Sequence, residues 1–498
     1  MGLRRRLVIN SGFSCSNNTE KSRKRVAEAR GRPLRGTIIL RRVKTANPIE
    51  AKMFNRMCWR GVLLGCFAVI APQIAGAQSN GIDVAQAKLY FAEASGICEK
   101  DAGALWGKSL CAPMIFTDPQ TRGVVANQAD AESRLKEQDG VFVGELPPEV
   151  SPANTAMTWA GTKWTMIMWP LPAIPTTRAR LIMHELFHHL QDDLGLPGSN
   201  PTNAHLATLE GRIWLELEWR ALQQALARPE QGPLERKRAV EDALLFRLQR
   251  RSLFPRAAVE ERELEMNEGL AEYTGYKLRG TVDAATTEAV INRLGSAAND
   301  SSFSRSFAYV SGPAYGMLLD LASASWRKGL TAKADLGELS RQAYAISLPQ
   351  DIMAAANARA AEYDGVALRW SETRQDEERQ AALAAYKRRF IDGPVLRFRV
   401  MEKFDLTFDP NQVIPLDENT IIYPTLRVTD IWGVLEVSDG ALMKRDQGKF
   451  VGVAVEAPKD AVGKSGAVEG PGWKLTLSRG WRLAESERKG DLVVTNKE

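Results

Sequence analysis

The histidines of this chain are few and closely grouped. Three of the four lie between His184 and His189, in the order H-E-x-x-H-H. On a helix, residues four apart lie on the same face, so the imidazoles of His184 and His188 can both reach one metal ion. Glu185 lies beside them, where its carboxylate can take a proton from a metal-bound water. The segment therefore predicts a helix that carries two metal ligands and a general base.

A catalytic zinc site needs a third protein ligand and an open position for water. In a metzincin that ligand would be a histidine at position 194, with a glycine at position 191. This chain has Leu194 and Gln191 there, which excludes that class. Three other residues are candidates for the third ligand: His205, Glu210 and Glu268.

The segment around Glu268 reads N-E-G-L-A-E, from Asn267 to Glu272. Together with H-E-x-x-H, it resembles the gluzincin metallopeptidases, which include thermolysin and the aminopeptidase-N-like enzymes. The resemblance implies one zinc ion per chain, with Glu268 as the third ligand after the supporting Asn267. It also implies that Glu272 accepts a hydrogen bond from His184 and so orients that ligand. His205 stays an alternative to Glu268 at this point, as does Glu210.

A gluzincin also needs a hydrogen-bond donor for the developing oxyanion. The aminopeptidase-N-like pattern Y-x-K-G is matched in part by residues 309–312, which lack the lysine. The resemblance therefore implies that Tyr309 is the donor, with Tyr315 as the alternative. The run at residues 163–169 resembles the strand that pairs with extended substrate in gluzincin clefts.

Two features of the chain depart from the gluzincin pattern. Seventy-nine residues separate His188 from Glu268, which indicates a helical insertion at about 203–252. The G-x-M-E-N motif, which binds a substrate amino terminus in aminopeptidases, is absent from the sequence. The resemblance therefore does not extend to aminopeptidase specificity.

The elements that must position these residues follow from periodicity. Helical patterns predict one helix over residues 82–100 and a second to about Leu194, capped by Thr176 or Thr177 and ended by Gly195. Short apolar runs between residues 112 and 171 predict strands of one sheet.

The second half of the chain divides by its period. Residues 203–390 show helical spacing, whereas apolar and polar residues alternate from Pro394 onwards. We therefore predict an α+β protein, in which a gluzincin-like zinc metallopeptidase domain (78–393) is followed by a small β-sandwich or barrel (394–498).

The N-terminal 77 residues do not have the pattern of a folded domain. Residues 1–52 are basic with little apolar periodicity, which indicates a mis-called or disordered leader. Residues 53–77 combine two arginines, a short apolar core and an A-x-A site before Gln78, which is typical of a secretory signal peptide. We expect a periplasmic or secreted protein with no membrane span after cleavage.

Removal of this segment changes the cysteine and charge arguments. Cys98 and Cys111 are the only cysteines beyond residue 77. In an oxidising compartment we expect them to form a disulfide, with two buried thiols as the alternative. Residues 1–77 hold 16 of the 66 basic and 3 of the 60 acidic residues, so the remainder has a net charge of about −7 and no nucleic-acid partner is expected.

The sequence thus predicts an exported zinc metallopeptidase acting on a peptide or protein substrate, with Glu185 as general base. Two alternatives stay open. One is a zinc hydrolase of a non-peptide or cell-wall amide, and the other is a non-catalytic binding protein on a peptidase-like fold. The C-terminal region has no predicted role beyond binding an unknown partner.

Overall fold

The computed structural model describes residues 78–79, 81–227, 232–401, 404–409 and 412–496. The predicted leader (1–52) and signal peptide (53–77) lie outside the described residues. Over the described ranges, no helix combines the length and the apolar character that a bilayer crossing requires. The architecture is mixed α+β with an all-β region at its C-terminal end, which confirms the predicted fold class at that level.

The first part of the described chain contains one helix and eight strands. They are β1 (Gln78–Ser79), β2 (Ile82–Asp83), α1 (Val84–Asp101), β3 (Met114–Thr117), β4 (Gly123–Ala126), β5 (Lys136–Gln138), β6 (Val141–Glu145), β7 (Thr155–Trp159) and β8 (Thr162–Met168). Strands β3 to β8 form one sheet in the order β5-β6-β4-β3-β8-β7, in which only β3 and β8 run parallel.

Both faces of this sheet are covered, because its strands are apolar on both sides. Phe116 and Ile167 pack into the main core, whereas Ile115 and Trp164 pack into a smaller core on the opposite face. Side chains that alternate along a strand point to opposite faces, so continuous apolar runs are expected in a sheet buried on both sides.

The position of β8 corrects one expectation. Residues 163–169 were expected to lie along the cleft as a substrate-pairing strand, but β8 is hydrogen-bonded to β3 on one side and β7 on the other. The strand at this edge of the sheet is β7, a five-residue strand that the sequence did not identify as an edge.

The middle part of the described chain is helical. It contains α2 (Pro175–Gln191), α3 (Leu209–Ala227), α4 (Pro233–Leu253), α5 (Ala257–Leu264), α6 (Leu270–Leu278), α7 (Asp283–Ser296), α8 (Phe303–Ala322), α9 (Leu336–Ala343), α10 (Ile352–Ala360) and α11 (Gly365–Lys387). A π-helical turn, Glu265–Gly269, joins α5 to α6, and a second one, Arg388–Asp392, follows α11.

Helix α2 begins and ends for identifiable reasons. Its first residue is Pro175, whose fixed φ suits the first helical position and whose missing N–H would be unsatisfied there anyway. The predicted threonine cap is therefore wrong, since the helix begins before Thr176. At the other end a short 3₁₀ turn leads to Gly195, whose φ of 72° ends the helix as predicted.

The described residues of the C-terminal region contain twelve strands. They are β9 (Val395–Arg399), β10 (Asp405–Phe408), β11 (Ile414–Pro415), β12 (Thr420–Tyr423), β13 (Leu426–Asp430), β14 (Gly433–Val437), β15 (Ala441–Asp446), β16 (Lys449–Glu456), β17 (Ala467–Gly470), β18 (Trp473–Leu477), β19 (Arg482–Glu485) and β20 (Leu492–Thr495). They form a five-stranded sheet in the order β10-β13-β14-β18-β17 and a seven-stranded sheet in the order β11-β12-β15-β16-β9-β20-β19.

The two C-terminal sheets share one apolar core. Phe398 and Val453 of the larger sheet pack in the same cluster as Val428, Leu435 and Leu475 of the smaller one. Every second residue of β14 and β18 is buried, which is the period-two pattern visible in the sequence.

The structure joins Cys98 and Cys111 in a disulfide, as predicted. Cys98 lies in the last turn of α1, and Cys111 lies in the segment that leads to β3. The bond therefore ties the first helix to the entry of the sheet on which α2 packs.

Candidate metal centre

Helix α2 places its two histidines by packing closely against α6. Gly275 of α6 permits this approach, because a Cβ there would lie 2.6 Å from the carbonyl oxygen of Arg180. His184 and His188 are one turn apart on the face of α2 directed towards α6. The predicted helix and the predicted spacing of the two imidazoles are therefore both present.

Glu268 comes from the π-helical turn before α6. This turn packs backbone to backbone against α8, since a Cβ on Gly312 would lie only 2.3 Å from the Cα of Gly269. A π turn widens the helix by one residue and is frequent at functional sites. Here the turn brings Glu268 to the two histidines across the 79-residue separation.

Three ligand atoms converge at this point. The Nε2 atoms of His184 and His188 are 3.1 Å apart, and each lies 3.4 Å from Oε2 of Glu268. Metal–ligand bonds of about 2.0–2.1 Å in a tetrahedral arrangement separate ligand atoms by about 3.3 Å. Within the described residues, these three form the group of His, Cys, Asp or Glu side chains placed to hold a metal ion.

Hydrogen bonds at the two Nδ1 atoms determine which nitrogen of each imidazole carries the proton. Nδ1 of His184 lies 3.0 Å from a carboxylate oxygen of Glu272, and Nδ1 of His188 lies 2.9 Å from Oε1 of Gln191. Both partners can only accept, so each Nδ1 carries the proton and each Nε2 presents a lone pair. Two lone pairs and a carboxylate oxygen that converge in this way suit a cation, so the residues present fit a bound zinc ion.

A proton is the competitor for this position. In the protein without a bound cation, burial disfavours the charged form of His184, but its hydrogen bonds with Glu268 and Glu272 outweigh burial and raise its pKa to about 10. A divalent cation must therefore displace a proton in order to bind.

Glu185 is held close to the cluster without a partner of its own. Its side chain is buried and lines the cavity, and its Oε2 has no hydrogen-bond partner among the described residues. Burial raises the pKa of this carboxyl, an effect that the two neighbouring histidines partly offset. A carboxylate with a raised pKa next to a water-binding position is suited to accept a proton.

Tyr309 lies over the same cluster. Its ring stacks on the imidazole of His184 with centroids 5.5 Å apart, and its hydroxyl donates to Oε2 of Glu268 at 2.5 Å. Burial, followed by the charge of Glu268, raises the pKa of Tyr309 well above its usual range, so the hydroxyl keeps its proton and remains a donor.

The alternative candidates for the third ligand and for the oxyanion donor lie away from this cluster. His205 is bonded to Glu261 at 2.8 Å, Glu210 pairs with Arg369, and the Tyr315 hydroxyl donates to Glu218 at 2.7 Å. These residues do not reach the ligand atoms of His184, His188 and Glu268.

The surrounding polar contacts include both predicted and missed residues. Asn267, predicted beside the ligand, accepts from Gln191 at 3.1 Å and donates to the loop at Asn200. Arg180 pairs with Glu272 at 2.6 Å, and Arg305 pairs with Glu268 at 2.7 Å. The arginines were missed, although Arg305 lies one helical turn before Tyr309 and so on the same face of α8.

A second cluster of buried charges lies behind the π turn. We call it the buried ion-pair network; its members are fully or almost fully buried: His205, Glu218, Arg247, Arg250, Glu261 and Glu265. Arg247 binds Glu218 and Glu265, while Arg250 binds Glu218 and Glu261. The network holds Glu265, which is the first residue of the turn that carries Glu268.

The metal centre opens into a cavity of about 1060 Å³ that we call the cleft. One side is formed by the edge strand β7 and by α2, α6 and α8. The opposite side is formed by the C-terminal region, including Leu406 and Phe408 of β10, Tyr423 of β12, Arg445 of β15 and Phe450 of β16. The two parts of the chain thus line one space.

Comparison with known proteins adds no family to these observations. No protein-family model, no curated protein and no solved structure matches the chain.

Proposed function

We propose that this protein is a zinc-dependent hydrolase that cleaves peptide bonds. The observation that carries the proposal is the convergence of Nε2 of His184, Nε2 of His188 and Oε2 of Glu268 beside Glu185, whose buried carboxylate lacks a partner. The carboxylates of the buried ion-pair network differ, because each of their oxygens has a partner, whereas Glu185 keeps an unpaired oxygen beside the three converging atoms.

A zinc ion bound by these three residues would acidify a water molecule and polarise the substrate carbonyl. Glu185 takes the proton of the attacking water and returns it to the leaving amine, since its side chain lines the cleft beside the two histidines. The Tyr309 hydroxyl gives up its hydrogen bond with Glu268 and donates a hydrogen bond to the developing oxyanion of the substrate instead. Glu272 and Gln191 keep the imidazoles in the tautomer that ligation requires.

We propose that the protein acts outside the cytoplasm. The Cys98–Cys111 disulfide supports this location, because such bonds persist in oxidising compartments. The predicted signal peptide at residues 53–77 supports it as well.

The decisive variant is Glu185→Gln, which preserves size and hydrogen bonding but cannot accept the proton. We expect the folded variant to retain zinc while turnover of a library peptide falls by roughly 10²–10⁴-fold. The measurements are metal content after dialysis and a timed digest of a broad peptide library. His189→Gln is the matched control, because His189 lies on the same helix and bonds Thr165 instead of the cluster.

Normal turnover by zinc-loaded Glu185→Gln would eliminate the mechanism. If the zinc-loaded wild type cleaves no peptide in the library, a cell-wall or other non-peptide amide, or a binding role without catalysis, replaces the proposal.

A further inference from the structure

The cationic side chains of the cleft are not equally paired. Four of them have a carboxylate partner within 4 Å, in the pairs Lys163–Asp192, Arg180–Glu272, Arg293–Asp300 and Arg305–Glu268. The fifth is Arg445, for which the described residues provide no carboxylate within that distance. A guanidinium is always charged in proteins, so this part of the cleft carries an uncompensated positive charge.

The surroundings of Arg445 hold its guanidinium in place without neutralising it. Nη1 donates to Thr202 at 2.8 Å and to the carbonyl of Asn200 at 3.3 Å, and the group stacks on Phe450 at 4.5 Å. Its Nε is buried and has no hydrogen-bond partner among the described residues. Burial lowers the pKa of Arg445, an effect that the neighbouring Tyr423 partly offsets and the charge of Arg305 reinforces.

Arg445 is close to the metal centre through a short chain of contacts. Arg305 binds the ligand carboxylate of Glu268 with one nitrogen and the side chain of Asn200 with another, at 2.8 Å. The backbone of Asn200 then accepts from Arg445. Only two residues therefore separate the ligand carboxylate from the unpaired guanidinium.

The wall of the cleft that holds Arg445 also carries apolar side chains. Leu406, Phe408 and Phe450 line this wall, and Phe408 packs edge-on against Tyr423 with ring centroids 4.9 Å apart. A substrate lying on this wall would displace water, and an ionic contact strengthens as water is excluded.

We propose that Arg445 is a specificity-determining residue of the cleft and binds a carboxylate of the peptide substrate. The carboxylate belongs either to the C-terminal residue or to an acidic side chain near the scissile bond. Arginine matches carboxylates with two parallel hydrogen bonds, and the Arg445 side chain lines the cleft. The assignment rests on the proposed function for the identity of the substrate, and it gives the C-terminal region a role in the same site.

The test measures binding, so that it does not depend on turnover. Full-length zinc-loaded protein carrying Glu185→Gln is immobilised and offered N-acetylated peptide pools that differ in their carboxylates. One pool has free C-termini and one has C-terminal amides, and each is split into peptides with and without Asp or Glu. We expect preferential retention of carboxylate-bearing peptides, by the C-terminal carboxylate or by the acidic side chain according to which pool is enriched.

The Arg445→Gln substitution, in the same background, should reduce retention of carboxylate peptides by roughly ten- to hundredfold, the factor lost with a charge-assisted hydrogen bond. Retention of peptides without a carboxylate should not change, which separates charge recognition from structural damage. Arg445→Lys should keep part of the preference. Arg399→Gln is the control, because Arg399 is exposed on β9 and does not line the cleft.

Equal retention of all pools, retention of none, or an unchanged preference in Arg445→Gln would each overturn the assignment. The outcome is distinguishable from failure of the proposed function. If wild-type protein cleaves nothing while the Arg445-dependent preference is present, the function fails and the carboxylate site stands. If the protein cleaves peptides without this preference, the reverse holds.

Discussion

The metal centre and the buried ion-pair network contain the same kinds of residue in the same helical region. Each brings a histidine against a glutamate: His184 lies 3.4 Å from Glu268, and His205 lies 2.8 Å from Glu261. In the network, Glu261 also accepts from Arg250 and Arg251, and every oxygen of Glu218 and Glu265 has a partner. Every carboxylate oxygen of the network is therefore paired.

The metal centre is not compensated in this way. The Nε2 atoms of two imidazoles face each other, and Glu185 has a buried oxygen without a partner at the wall of the cleft. The residue types alone do not distinguish these two clusters. The sequence therefore left His205 open as a possible metal ligand. The distinction is whether each buried carboxylate oxygen is paired within the protein.

The largest expected effect is on zinc affinity, which should depend on the His184–Glu268 contact and not on the His205–Glu261 contact. Glu268→Ala should weaken zinc binding by roughly a thousandfold, because about 10–16 kcal/mol of binding free energy is shared by a few ligands. Isothermal titration of zinc into the metal-free protein measures this change. His205→Ala and Glu210→Ala should bind zinc like the wild type; zinc loss in Glu210→Ala with normal binding in Glu268→Ala would reverse the assignment.

The converse effect is on stability. Arg250→Met leaves Glu218 and Glu261 buried with one fewer partner, and we expect the free energy of unfolding to fall by about 3–5 kcal/mol. Zinc per folded chain should remain one. Urea unfolding followed by circular dichroism measures the first quantity, and metal analysis of the folded fraction measures the second. An unchanged midpoint would mean that the network contributes little to stability.

A smaller effect tests the residue that orients His184. Glu272→Ala removes the acceptor of Nδ1 without removing a ligand, so zinc affinity or turnover should fall by about 10–100-fold. Glu272→Gln provides the comparison, since its amide oxygen can still accept from the imidazole and should restore part of the loss. If both variants lose as much zinc as Glu268→Ala, Glu272 is a ligand and not a positioning residue.

The smallest effect concerns Glu216, a buried carboxylate that also has an unpartnered oxygen but lies away from the cleft. Burial and the neighbouring Glu372 raise its pKa to about 7. Because a raised acid pKa favours the protonated form, the contribution of Glu216 to stability is fully present below about pH 4.5 and is lost as the pH rises through about 7.

Glu216→Gln should therefore reduce the loss of stability between pH 5 and pH 8, by on the order of 1 kcal/mol. Thermal unfolding at several pH values measures this difference. Peptide turnover should match the wild type, because an unpartnered carboxylate matters for catalysis only where it faces the substrate. A parallel pH profile for both proteins would contradict the assigned pKa.

Much of the site could be predicted because its residues follow helical rules. The H-E-x-x-H spacing placed His184 and His188 on one face of α2, and the structure brings Glu268, Glu272 and Tyr309 to them. The elements themselves were visible from their periods, including the change at Pro394. The start of α2 differs from the predicted one because Pro175, and not one of the threonines that follow it, occupies the first helical position.

The missed features depend on how elements approach one another. Arg445 reaches the cleft because β15 packs beside the loop at Asn200, and no periodicity in either segment specifies that contact. The interior position of β8 likewise follows from its pairing with β7, a five-residue strand whose own sequence does not specify that pairing. Tertiary packing sets the order in which strands pair and the rotation of each helix, and local sequence patterns do not specify either.

The contact between Gly269 and Gly312 has a consequence for recognising distant relatives. Gly312 must remain small, because a Cβ there would lie 2.3 Å from the Cα of Gly269 and would push apart the helices that carry Glu268 and Tyr309. A Cβ on Gly269 would lie a tight 3.1 Å from the Cα of Gly312. A glycine after the ligand glutamate and a glycine three residues after the tyrosine therefore form a single paired signature. Such a pair could identify both helices in chains whose inserted segments differ in length and whose remaining sequence has diverged beyond alignment.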